Sequence, residues 1–252
     1  MDLFDRAAEK WFGYGQWSAP YWFIGMEQGG SEDEEHIGWE RVWHDLGEKE
    51  LIDCRDHHLR MGLQGNVLWH GPNARIQPSW GPLIRLLLSF KNPHKTPETN
   101  DILDYQKTQW GSVNGETVLA EIAGIRSKNV GQSNVRRKTF ICERIRTFQT
   151  RLQEYSPDFV VFYGNTKVGR VPVYQLIIEK DFSDFPNWKI STKGGEKPFA
   201  SFTWLNSILV VQVFHPTYHG ASRKDRWIEL GLKMRKMIDN KKNSHQSCDH
   251  IP

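Results

Sequence analysis

Two titratable side chains leave apolar runs of this chain in settings suited to chemistry. In YWFIGMEQGG (residues 21–30) the bulky residues end at Gly25, and Glu27 follows among glycines. In ILVVQVFHPTYHG (residues 208–220) a second apolar run passes directly into His215-Pro216. Glycines let backbone approach a ligand closely and tolerate unusual dihedrals. A carboxylate there can polarise a water or stabilise a developing positive charge. Each residue also has a plainer use: Glu27 as a solvated turn glutamate, His215 as a hydrogen-bonded structural imidazole.

Both residues need a scaffold that brings distant segments together, and the apolar patterning supplies one. Residues 21–25 and 159–164 (FVVFYG) are continuous apolar runs ending in glycine, the pattern of buried parallel strands. Residues 199–205 and 208–214 read as two more strands joined by Asn206-Ser207, and 117–125 fits strand or helix by periodicity, with strand favoured. Helices are expected at 33–46, at 82–90 behind a favourable first-turn proline, at 136–155 and at 224–238. In the 136–155 helix the stripe is Ile141, Ile145, Phe148 and Leu152, with Arg137, Arg144 and Arg151 assigned to other faces and Cys142 read as a buried thiol. Alternating strands and helices predict an α/β fold, a three-layer α/β/α sandwich around a central, mostly parallel sheet. One domain is expected over 1–240, followed by a polar flexible tail at 241–252. Ligands of such sheets sit beyond the carboxyl ends of the strands. GMEQGG, YGNTKVGR and HPTYHG would meet at that edge, so Glu27 and His215 are expected to share one crevice.

Composition narrows the partners. The 252 residues carry a net charge of +3, which permits nucleic acid without requiring it. Eleven tryptophans serve equally as core filler or as stacking platforms. No stretch is long and apolar enough for a membrane span, and the N-terminus lacks a signal-peptide pattern. Three scattered cysteines suit a reduced, cytoplasmic setting and cannot supply the four thiolates of an iron–sulfur cluster. DCRDHHLR (53–60) groups Cys54, His57 and His58, and SHQSCDH (244–250) holds further soft ligands. Zinc sites favour two paired clusters on an ordered scaffold, and the second of these lies in the polar tail, so no metal is expected.

Taken together, the turn Gly25-Met26-Glu27-Gln28 and the turn His215-Pro216-Thr217-Tyr218 resemble the first and last motifs of the uracil-DNA glycosylase superfamily. In that family the first motif usually carries proline where Gln28 stands, and Asp, Asn or Ala where Glu27 stands. Gln77-Pro78-Ser79-Trp80-Gly81 resembles the pocket segment whose aromatic residue stacks on the flipped base; Trp80 is either that platform or a cap of the next helix. LAEIAGIRSKN (119–129) occupies the place of the strand ending near the Asn that reads the base edge, and puts Glu121 at the reading position. Without that alignment, Glu121 is an ordinary surface residue.

The resemblance implies a DNA glycosylase that flips out a pyrimidine and leaves an abasic site, with Glu27 and His215 catalytic and Met26, Gln28, Trp80 and Glu121 around the base. An ionised carboxylate only accepts hydrogen bonds and pairs with the exocyclic amine of cytosine. The expected base is therefore a modified cytosine, such as the glucosylated 5-hydroxymethylcytosine of phage DNA on which an antiviral branch of the superfamily acts. DNA contacts are expected from Arg126, Lys128, Arg223, Lys224 and Arg226, with Tyr218 or His219 as the wedge in the vacated stack. The partner is DNA, duplex or phage, with no membrane, and the chain is expected to act as a monomer. The alternatives are a catalytically inactive member of the same fold that binds DNA or protein as a regulator, favoured by Gln28, and a hydrolase of small N-glycosides.

Overall fold

In a computed structural model the protein is described over residues 1–29, 38–62, 68–127, 135–164, 167–168, 171–179, 188–192, 195–217 and 223–246; the side chains at 27–29, 125–127, 135–139, 167–168, 189–192, 195–198 and 245–246 lie outside that description. The strands are β1 (Gly13–Tyr14), β2 (Tyr21–Gly29), β3 (Leu51–Ile52), β4 (Thr117–Ser127), β5 (Phe159–Tyr163), β6 (Lys167–Val168), β7 (Val171–Pro172), β8 (Trp188–Thr192), β9 (Gly195–Leu205) and β10 (Ile208–Val213). The helices are α1 (Leu3–Lys10), α2 (Trp39–Asp45), α3 (Cys54–Met61), α4 (Trp80–Lys91), α5 (Thr99–Thr108), α6 (Val135–Tyr155), α7 (Val173–Ile178) and α8 (Lys224–Gln246).

The main sheet runs β3-β1-β4-β2-β5-β10-β9-β8. Its centre, β4-β2-β5-β10, is parallel throughout, and the β9-β10 and β8-β9 pairs are antiparallel. Strand residues alternate between faces, so Phe23, Leu119, Val161 and Val211 pack in one core with α2 to α5 and α8. Ile24, Ala120, Ile122 and Phe162 pack in the other, against α6 and α7. The chain is an α/β protein with helices on both faces, as the patterning predicts. Trp22, Trp39, Trp43, Trp110 and Trp227 are all fully buried, so at least these tryptophans serve the core.

Three local expectations are corrected. Cys142 is exposed, because it sits beside the apolar stripe rather than on it. Arg144 is buried, three residues after Ile141 and hence on the stripe side of α6. The last helix continues to Gln246, past the boundary expected at 240. Lys241 holds that extension by donating to Asn206 O at 2.7 Å and lying 4.0 Å from the Trp204 ring centroid.

Candidate active site at the carboxyl edge of the sheet

The four central parallel strands end on one edge, and register decides which side chains meet there. Gly25 of β2 pairs with Glu121 of β4, and Tyr163 of β5 pairs with Val213 of β10, two residues before His215. All four paired positions fall on the face that carries Phe23, Leu119, Val161 and Val211 further down. The same alternation that builds the core there delivers polar groups at its rim.

Glu121 is the centre of this group. Its carboxyl lies against the Cα of Gly25, where any Cβ would overlap it. Glycine at 25 thus makes room for a neighbouring carboxyl, a use distinct from the ligand approach inferred from sequence. The Tyr163 hydroxyl donates to Glu121 Oε1 at 3.1 Å, while Oε2 is shut off from solvent and has no hydrogen-bond partner among the described residues. Burial outweighs the help from Tyr163 and the nearby Arg144 charge, and pushes the Glu121 pKa up to about 8. At neutral pH the group is mainly a carboxylic acid, which presents one donor and one acceptor. Below, Arg144 fixes the strand by donating to the main-chain oxygens of Glu121 at 2.6 Å and Ile122 at 2.8 Å.

His215 stands beside Tyr163, with ring centroids 5.9 Å apart. The Thr217 backbone N–H donates to its Nδ1 at 3.4 Å, and the Thr217 hydroxyl oxygen lies 2.8 Å from the same nitrogen. Nδ1 therefore carries the lone pair and Nε2 the proton, an assignment read from the hydrogen-bond network. Burial lowers the His215 pKa, which keeps the ring neutral near pH 7. The result is a fixed N–H donor on a neutral imidazole.

The other candidates are placed as follows. The backbone of Glu27 pairs with Ala123, two residues beyond Glu121, and its side chain, like those of Gln28 and Arg126, lies outside the described residues. Lys128, Tyr218 and His219 also lie outside them. The Met26 side chain points into the opposite core, against Gly164, so a base could meet only its backbone. Trp80 opens α4, and its ring leans on the imidazoles of His58 and His70 at 5.5 and 5.8 Å. Arg223 and Lys224 are exposed at the start of α8, and Arg223 lies 3.8 Å from Asp225. Arg226 is half-buried there.

Tyr163 is a site residue that the sequence reading passed over. Its signal was its position at the end of FVVFYG, where a tyrosine replaces a purely apolar residue. No family model matches this chain, and no curated protein matches it.

Proposed function

We propose that this protein is a DNA glycosylase that everts a modified cytosine and hydrolyses its N-glycosidic bond. The observation that carries the reading is the enclosed, half-satisfied Glu121 carboxyl at the same sheet edge as the His215 N–H donor. A buried polar atom without a partner is costly, and a turn of the carboxyl that brings Oε2 out to a base edge would supply its partner.

A base within a duplex must be rotated out of the stack, at a cost of a few kcal/mol, before a pocket can read it. Cleavage then builds positive charge on the sugar and negative charge on the departing base. The Nε2–H of His215 would donate to O2 of that base, an oxyanion-type contact. Glu27 would stabilise the sugar and orient the attacking water. Arg223, Lys224 and Arg226 would hold the DNA backbone. No step in this scheme requires a cofactor.

Glu121 would read the base edge through its protonation state. As a neutral acid it donates to N3 and accepts from the exocyclic amine of a cytosine, and it can serve the uracil edge by donating to O4 and accepting from N3–H. As an anion it loses its donor. It still accepts from the cytosine amine or from N3–H of uracil, but it then turns a second acceptor on N3 of cytosine or O4 of uracil. Only the neutral acid serves either edge in full.

Base release from a cytosine derivative is therefore expected to fall as pH rises through about 8. Well above that pKa it should drop by about tenfold per pH unit, with the neutral fraction. Glu121→Gln, an amide with no titration, should flatten the profile. Single-turnover base release on that substrate, from about pH 7 to about pH 9, measures it. A wild-type rate that does not change with pH would remove Glu121 from the base edge.

A further inference from the structure

A second buried cluster lies behind Trp80, apart from the sheet-edge group. Cys54 begins α3 and His58 follows one turn later, so both project from one face of the helix. Asp53 caps that helix by accepting from Asp56 N at 3.0 Å, and its other oxygen accepts from Val113 N at 3.2 Å. The Cys54 N–H donates to Gly111 O at 3.1 Å, which fixes the thiol position from the opposite side. His70 arrives from a separate helical turn, anchored where Gln106 Nε2 donates to Trp69 O at 2.8 Å. All three side chains are buried.

Their geometry is specific. Cys54 Sγ lies 3.5 Å from His58 Nδ1 and 3.6 Å from His70 Nε2, and the three atoms are all within 4.8 Å of one another. A tetrahedral zinc ion with Zn–S of about 2.3 Å and Zn–N of about 2.0–2.1 Å sets a sulfur-to-nitrogen edge of about 3.5 Å. Both observed separations match that edge. The outer shell fits as well: His58 Nε2 lies 3.5 Å from the Tyr14 hydroxyl, the second contact that orients a ligating imidazole. His70 Nδ1 is buried with no hydrogen-bond partner among the described residues, which leaves the contact of Nε2 with Cys54 Sγ to set the ring's placement.

The geometry points to a zinc site formed by Cys54, His58 and His70, tying α3 to the segment that leads into α4. One thiolate and two imidazoles are a borderline-soft donor set suited to zinc. Three protein ligands leave a fourth coordination position. Binding converts the Cys54 thiol to a thiolate and releases its proton to solvent. With the ion in place, the two imidazoles beneath Trp80 become a rigid seat for that ring. The sequence alone grouped Cys54 with His57 and His58, and His70 joins the set only through the fold.

The test is metal analysis of the full chain purified without added metal. Stoichiometric zinc is expected, retained in Cys248→Ser and lost in His70→Gln. Cobalt(II) exchanged into the wild type should give the visible bands of a tetrahedral ion and a near-ultraviolet thiolate band, and chelation should lower the melting temperature. A wild-type protein that holds no zinc and takes up no cobalt overturns the proposal. So does metal that survives His70→Gln and disappears in Cys248→Ser, which would place it on the tail. Copper in stoichiometric amount, with an intense thiolate-to-copper band, overturns the choice of ion.

Discussion

His215→Ala is expected to slow base release by roughly 100- to 1000-fold, the usual loss when one oxyanion-type donor is removed. The argument rests on the tautomer. Two groups of Thr217 engage Nδ1, so the proton sits on Nε2, and burial keeps the ring from charging near neutrality. A neutral N–H donor is matched to a charge that develops only in the transition state, so its loss falls on the chemical step more than on binding. Glu27→Ala should bring a comparable loss through the sugar and the water. DNA binding, supplied mainly by phosphate contacts, should survive in both variants. Gel analysis of abasic-site formation, paired with fluorescence anisotropy of bound DNA, separates the two effects. Near-wild-type turnover by both variants would refute the catalytic assignment.

Arg144→Met is expected to destabilise the fold by roughly 3–5 kcal/mol, since several buried carbonyls lose their donor together at about 1–3 kcal/mol each. The guanidinium is fully enclosed and lies 4.1 Å from the Phe12 ring centroid. It donates to the carbonyls of Ala8, Glu9 and Trp11 at 3.1, 3.2 and 3.0 Å, and to those of Glu121 and Ile122 in β4. The first three are carbonyls left over at the C-terminal end of α1. A single side chain thus terminates α1 and clamps it to β4, the strand that carries Glu121. Methionine keeps the apolar contact but leaves these carbonyls without their donor. Arg144→Lys should recover part of the loss, since an ammonium has three donors in place of a planar fork. Urea denaturation of the three proteins measures this. A loss below about 1 kcal/mol in Arg144→Met, the range of an ordinary surface substitution, would contradict the clamp.

The sheet was legible in the sequence because its central strands are continuous apolar runs that end in glycine or histidine. The runs 21–25, 159–164 and 208–214 needed no other signal, and 117–125 resolved to strand once its place between β1 and β2 was known. The edge strand β3 and its neighbour β1 are two residues each, too short to show a period. Thr99–Thr108 is polar over most of its length, and its helix rests on a reciprocal cap between Glu98 and Asp101. For the site, the pairing of Glu121 with Gly25 could be read only through an alignment of motifs, since the two are distant in the chain. Tyr163 and His70 are single residues whose meaning comes from neighbours that the fold supplies. Arg144 misled because charge on a helix is usually solvated, and here main-chain carbonyls take the place of water.

The most direct test is to incubate the protein with DNAs carrying cytosine, uracil, 5-hydroxymethylcytosine and its glucosylated form, and to identify freed bases by mass spectrometry. The account predicts release of a modified cytosine base, with an abasic site left in the strand. Release of uracil alone, or of no base from any of the four, would contradict it.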